Sequence, residues 1–191
     1  MGKKVLLYSG GMDSWLADKL WKPDVLLHVC IGTPNEKQEL DRILKQRPDV
    51  VVHHLDIAKF EDPTRNFLLP TRNLFFAAIG GFYGDEVCLA ATGSSTHYDK
   101  NEKFCNMTSD LLTYLWSEST DRKVRIVIPF RGVSKPEMLR RYVAEGGDPK
   151  KCWDETFSCY SPKEDGTPCW QCTSCQKKIK AFAENGYDFL H

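Results

Sequence analysis

Two groups of residues in this 191-residue chain have the types and spacing of working chemistry. The first is Ser9-Gly10-Gly11-Met12-Asp13-Ser14, between the apolar run Lys4 to Tyr8 and the helical pattern that begins at Trp15. A strand that runs through Ser-Gly-Gly into a helix leaves backbone N–H groups at the positive end of the helix dipole. The glycines let a phosphate approach without meeting a Cβ. No Gly-Lys-Ser/Thr ending follows, so this is not a Walker loop, and no G-x-G-x-x-G fingerprint is present. The second group is Cys159, Cys169, Cys172 and Cys175, spaced C-x9-C-x2-C-x2-C. Two-residue gaps let sulfurs converge on one tetrahedral zinc at about 2.3 Å.

Disulfides are the competing use of such cysteines, and they need an oxidising compartment. The opening Met1-Gly2-Lys3-Lys4 and the short apolar run after it lack the features of a signal peptide, and no run approaches a membrane span. The expectation is therefore zinc, in a cytoplasmic protein with no membrane partner. Cys30 and Cys88 sit at apolar strand positions and are expected in the core, and Cys152 is expected to be a spare thiol rather than a ligand. His53, His54 and His97 have no metal-ligand spacing and are assigned no catalytic role. With 26 basic against 26 acidic residues, no broad attraction to nucleic acid is implied. A zinc ribbon that binds nucleic acid, suggested by the cysteine gaps and Lys177-Lys178, is the alternative from another class.

The elements that position these groups alternate. Strands are predicted over 4–8, 25–30, 50–55, 86–91 and 124–128, with helices over 36–46, 72–83, 106–117 and 174–184. Ser134-Lys135-Pro136-Glu137 reads as a capping box opening a further helix that stops at Gly146-Gly147. The α/β alternation predicts a Rossmann-like parallel sheet flanked by helices on both faces, with a small C-terminal zinc-binding segment. The predicted division is 1–150 for the nucleotide-binding part and 151–191 for the zinc-binding part. Ligands of such sheets bind beyond the carboxyl ends of the strands, so the loops after Tyr8, Cys30, Leu55, Ala91 and Ile128 should meet at one site.

Ser9 to Ser14 resembles the SGGxDS loop of the PP-loop ATP pyrophosphatases, which split ATP into AMP and pyrophosphate. Together with Pro70-Thr71-Arg72-Asn73, Ser134-Lys135-Pro136-Glu137 and Thr156-Phe157-Ser158-Cys159-Tyr160 before Cys169, Cys172 and Cys175, the chain looks like a small member of the 7-cyano-7-deazaguanine synthase (QueC) family. The resemblance runs in order over nearly the whole chain. It implies an adenine nucleotide alpha hydrolase-like fold and an ATP-dependent, AMP-forming ligation of ammonia to 7-carboxy-7-deazaguanine. The amide would be dehydrated to the nitrile by a second adenylation. A related ligase that stops at the amide or takes another acid is the enzymatic alternative.

The resemblance further implies structural Zn²⁺ on the four cysteines, ATP with Mg²⁺, no direct nucleic-acid partner, and a homodimer. Nucleotide contacts fall to Tyr8, Ser9, Gly10, Gly11, Met12, Asp13 and Ser14, and the catalytic set is Asp13, Ser14, Arg72 and Lys135. Asp13 either holds Mg²⁺ or caps its helix. Lys135 is either a phosphate partner or a solvated lysine of a first turn. Asp99 and Lys103 lie where substrate contacts are expected, and Phe157, Tyr160 or Trp170 would stack on the heterocycle. Two departures stand out: Thr71 replaces a glycine, and Lys103-Phe104-Cys105-Asn106 lacks the acid and arginine of the corresponding Y-P-D-C-R stretch.

Overall fold

The computed structural model describes residues 2–33, 36–61, 69–93 and 97–190. Five strands, β1 (Lys4–Leu7), β2 (Val25–Cys30), β3 (Val51–His54), β4 (Glu86–Cys88) and β5 (Arg125–Val127), form one sheet in the order β3-β2-β1-β4-β5. Every pairing is parallel, as the alternation with helices requires. The helices are α1 (Met12–Trp21), α2 (Glu36–Gln46), α3 (Arg72–Tyr83), α4 (Glu102–Trp116), α5 (Lys135–Ala144), α6 (Pro149–Glu155) and α7 (Thr173–Ala183). Strand order reverses at β1, which pairs with β2 on one side and β4 on the other. The Ser9–Ser14 loop therefore leaves the sheet at its topological switch point, where a crevice must open.

The pleat sorts alternate residues onto two cores. Leu6, Tyr8, Leu26 and Cys88 face a cluster with Met12, Trp15 and Leu16 of α1, Met138 and Leu139 of α5, Cys152 and Trp153 of α6, and Ala181 and Phe182 of α7. Val5, Leu27, Val87 and Ile126 face a second cluster with Ala77 of α3 and Cys105 and Leu112 of α4. Cys30 and Cys88 are buried, as expected of core thiols, and Cys152, expected to be a spare thiol, is buried in the first core as well. The last forty residues share the first core with α1 and α5. Trp15 adds a polar tie, its Nε1 donating to Glu155 at 3.0 Å while its ring meets Tyr142 edge-on. Among the described residues no helix is long and apolar enough to cross a membrane.

The structure revises several boundaries. Strand β2 keeps the predicted 25–30, while the other four strands are shorter than their apolar runs, because hydrogen bonding to a neighbour, not hydrophobicity, defines their ends. Helix α4 begins at Glu102 rather than Asn106, since the Asn101 side chain accepts from the Phe104 N–H at 2.9 Å and caps it. Residues 103–106 are thus helical. Helix α6 was not expected. Its signal was Asp148-Pro149, with Asp148 accepting from Lys150 N at 2.8 Å and proline in the first turn. Only half of the capping box forms. Ser134 accepts from Glu137 N at 3.3 Å, while the Glu137 carboxylate turns to Arg140 and Arg141.

Helix α3 approaches the sheet through Gly80, where a Cβ would stand 2.6 Å from Val87 Cγ1. Neighbouring Gly81 is buried but would give its Cβ ordinary contacts of 3.5 Å or more. Gly80→Ala should therefore destabilise the protein by about 1–3 kcal/mol despite alanine's better helix propensity. Gly81→Ala should be nearly neutral. Urea unfolding of the two variants checks this, and Val87→Ala should recover part of the Gly80→Ala loss.

Candidate active site and metal centre

A cleft of about 1050 Å³ opens over the carboxyl ends of β1, β2 and β4, lined by Ser9 to Asp13, Arg72, Asn73, Lys100, Lys135 and Phe157 to Tyr160, among others. The phosphate loop forms its floor. Gly10 has φ +69, a conformation that disfavours any side chain, and a Cβ there would also press on Ile43. Ser14 is buried and does not line the cleft. Its hydroxyl donates to Gly11 O at 3.1 Å, accepts from Ser9 N at 3.2 Å and lies 3.2 Å from Ser9 Oγ. Ser14 thus braces the loop from inside. Tyr8 lines the cleft while its ring sits in the core.

Above the loop stand charged groups from three elements. Lys135, in the first turn of α5, forms an ion pair with Asp13. Of the two readings of each residue, the structure adds a third, in which each holds the other. Arg72 opens α3, and Asn73 beside it donates to the Asp99 carboxylate at 2.8 Å. Thr71 has φ −95, so the glycine of the resembling pattern is not needed for backbone reasons here. Lys100, which sequence reasoning passed over for Lys103, lines the cleft. Burial holds its ammonium below the ordinary lysine value, Arg72 and Lys135 push the same way, and Asp99 and Asp13 partly offset them. Three cations around two carboxylates make a site that an incoming polyanion would relieve.

Other lining residues were also missed. His28 is buried within β2, and its Nδ1 lies 2.9 Å from Tyr8 O. A carbonyl only accepts, so Nδ1 carries a proton and donates to it. A histidine inside an apolar strand was a visible signal for it. Glu39 and Arg42 on α2 complete this wall, and burial pushes the Glu39 carboxyl above its usual range. Charges on an amphipathic helix give no sequence signal that they face a cleft.

The four cysteines converge: one Sγ from each of Cys159, Cys169, Cys172 and Cys175 lies within 4.8 Å of the others. The Cys159 and Cys169 sulfurs are 3.4 Å apart, too far for a disulfide of about 2.05 Å. Backbone amides of Cys169, Gln171 and Cys172 donate to these sulfurs at 3.3–3.4 Å, which stabilises thiolate. The Gln171 and Cys172 amides pull the Cys169 thiol down. Burial opposes the same effect at Cys172, yet amides and neighbouring thiols bring it to about 6. The donor set fits tetrahedral Zn²⁺. Trp170 is stacked on Trp153 at 5.1 Å and does not line the cleft, so of the three expected stacking residues Phe157 and Tyr160 line it, together with Phe76 and Tyr8.

The segment before Cys159 touches the phosphate loop directly. Phe157 N donates to Gly10 O at 3.1 Å, and Met12 N donates to Ser158 Oγ at 3.2 Å. The Arg42 guanidinium lies 3.7 Å from the centre of the Phe157 ring and donates to Gly166 O at 2.9 Å. From beneath, Lys178 donates to Trp153 O and Thr156 O at 2.7 and 2.6 Å. Lys178 is almost fully buried, which lowers its ammonium to about 8.

The family model described as "Queuosine biosynthesis protein QueC" matches residues 44–186. A Geobacter sulfurreducens protein named 7-cyano-7-deazaguanine synthase is 30% identical over 218 positions, covering 96% of this chain and 90% of that protein. Proteins of the same name from Geobacter sp. (strain M21) and Persephonella marina are 25% and 26% identical, each covering 96% of this chain. These alignments are longer than the chain's 191 residues, so the relatives carry additional segments within the same frame. The chain belongs to the QueC family of queuosine biosynthesis proteins.

Proposed function

We propose that the chain converts 7-carboxy-7-deazaguanine and ammonia to 7-cyano-7-deazaguanine at the cost of ATP, releasing AMP and pyrophosphate. Its relatives' shared name supports the product. The observation that carries the chemistry is the phosphate loop at the switch point beneath Arg72, Lys100 and Lys135. A carboxylate is a poor electrophile, so AMP must be installed as leaving group, and two anions must be brought together. In this reading the backbone amides of Gly10, Gly11 and Asp13 take the pyrophosphate, while Ser14 and Ser158, which accept from Ser9 N and Met12 N, keep the loop in shape. Arg72, Lys100 and Lys135 take the negative charge of the α-phosphate and the acid. Ammonia displaces AMP to give the amide, and a second adenylation makes its oxygen a leaving group, so that the nitrile forms.

In the same reading Asp13 exchanges its pairing with Lys135 for Mg²⁺ brought in with the nucleotide, where the ion would neutralise phosphate charge. Phe157 and Tyr160 would stack on the planar heterocycle. We assign residues 151–191 the metal-holding role and residues 1–150 the nucleotide-binding role, joined by the contacts of Phe157 and Ser158. A cysteine cluster built into the wall of the cleft favours this reading over a nucleic-acid-binding ribbon. We also propose a homodimer through the face of α3 and α4, where Phe75, Phe82, Met107, Leu111, Tyr114 and Leu115 are exposed.

Incubation with labelled ATP, ammonium and the acid, read by mass spectrometry, should yield AMP, pyrophosphate and the nitrile. ADP as the nucleotide product rejects the loop assignment. Amide that persists with excess ATP supports a truncated reaction, and unchanged acid rejects the substrate. Lys100→Met should lower kcat/KM by about 10²–10³-fold, whereas Lys103→Met on α4 should leave it unchanged.

Elemental analysis should find one zinc held by the four cysteines, lost in Cys172→Ser. Zinc removal should loosen Phe157 and Ser158 and so raise the KM for ATP. Ser158→Ala, which keeps the metal, should raise that KM by about tenfold, the worth of one hydrogen bond in a site. Light scattering should give twice the chain mass, and Leu115→Glu should halve it.

A further inference from the structure

The strands β2 and β3 end side by side at the rim of the cleft. Cys30 and His54 are their last residues and are register partners, so the pleat directs both side chains to one face. Leu55 N donates to Cys30 O at 2.7 Å and fixes the two strand ends together. Glu36, the first residue of α2, reaches back to them. Its Oε2 accepts from Gly32 N at 2.6 Å, and Gly32 makes that turn at φ +87. One ligand atom each from Cys30, Glu36 and His54 lies within 4.8 Å of the other two.

We propose that Cys30, Glu36 and His54 form a second metal site, separate from the four-cysteine cluster, for a divalent ion of the zinc type. A thiolate with an imidazole selects a borderline-soft ion over Mg²⁺ or Ca²⁺, and one carboxylate completes a three-ligand set. Around a tetrahedral ion such atoms stand about 3.5 Å apart, which small side-chain rotations reach from the present spacing. The Gly32 amide orients the carboxylate as an outer-shell partner does. Cys30 and Glu36 line the cleft, so the fourth position of the ion faces it. A bound ion would pin the start of α2, the helix that carries Glu39 and Arg42, to the ends of β2 and β3. The sequence alone assigns His54 no role because its partners lie 24 and 18 positions away, and only strand register unites them.

The test is a titration of the zinc-loaded full chain with Co²⁺ under reducing conditions. One equivalent should bind beyond the resident zinc and show thiolate-to-cobalt charge transfer. His54→Ala, at an exposed position, should weaken this binding at least about tenfold, and Cys30→Ser should remove the charge-transfer band, with the resident zinc retained in both. Glu36→Gln keeps an acceptor for Gly32 N–H and should also weaken binding, which covers a failure of Cys30→Ser to fold. The proposal is overturned if no cobalt binds beyond the zinc, or if His54→Ala binds it as tightly as the parent. A charge-transfer band that survives Cys30→Ser while zinc is released overturns it too, since cobalt would then have entered the four-cysteine cluster.

Discussion

The pair of hydrogen bonds from Phe157 N to Gly10 O and from Met12 N to Ser158 Oγ is the contact on which the site depends. A loop built to present free amides to phosphate has few internal bonds to hold it, and Gly10 adds conformational freedom. Ser14 braces the loop from within, and the C-terminal segment clamps it from above. That segment is short and polar around Pro162 to Thr167, so it cannot hold its own shape by burial. Four cysteines placed to hold a metal would supply the missing constraint, because metal binding and local folding are one free-energy change. A metal held there would shape the phosphate loop through the contacts of Phe157 and Ser158.

Lys178 extends the clamp downward. A lysine buried to this degree is destabilising unless its donors are used, and two carbonyls at the end of α6 use them. Its ring contact with Trp153, and the stacking of Trp153 on Trp170, join the core to the cysteine loop. The clamp is thus continuous from the sheet, through α6 and α7, to the phosphate loop.

Electrostatics set the opposite requirement. Arg72 and Lys135 disfavour the charge on Lys100, and Asp99 and Asp13 relieve part of that cost. Charges fixed before the substrate arrives need no reorganisation during the reaction, which is how a preorganised site lowers a barrier. The changed stretch at 103–106 also acquires a physical meaning. It forms the first turns of α4, and the cation facing the cleft is Lys100, just ahead of the Asn101 cap.

The sequence by itself determined the five parallel strands, the phosphate loop at the end of the first, and four cysteines in one cluster. Each is local or periodic: a run of apolar residues, a glycine pair between strand and helix, a two-residue gap between thiols. Helix starts were legible where the cap was read correctly, as at Ser134, and missed where it was not, as at Asn101 and Asp148. Only the tertiary structure decided which charges share the cleft. Lys100 and Lys103 look alike in sequence, yet one falls before the cap and the other on an outward turn of the helix. His28, Arg42 and the meeting of Cys30 with His54 are decided by which faces the sheet and α2 turn toward the switch point. Those faces follow from strand register and burial across the whole chain, and no local pattern of residues encodes them.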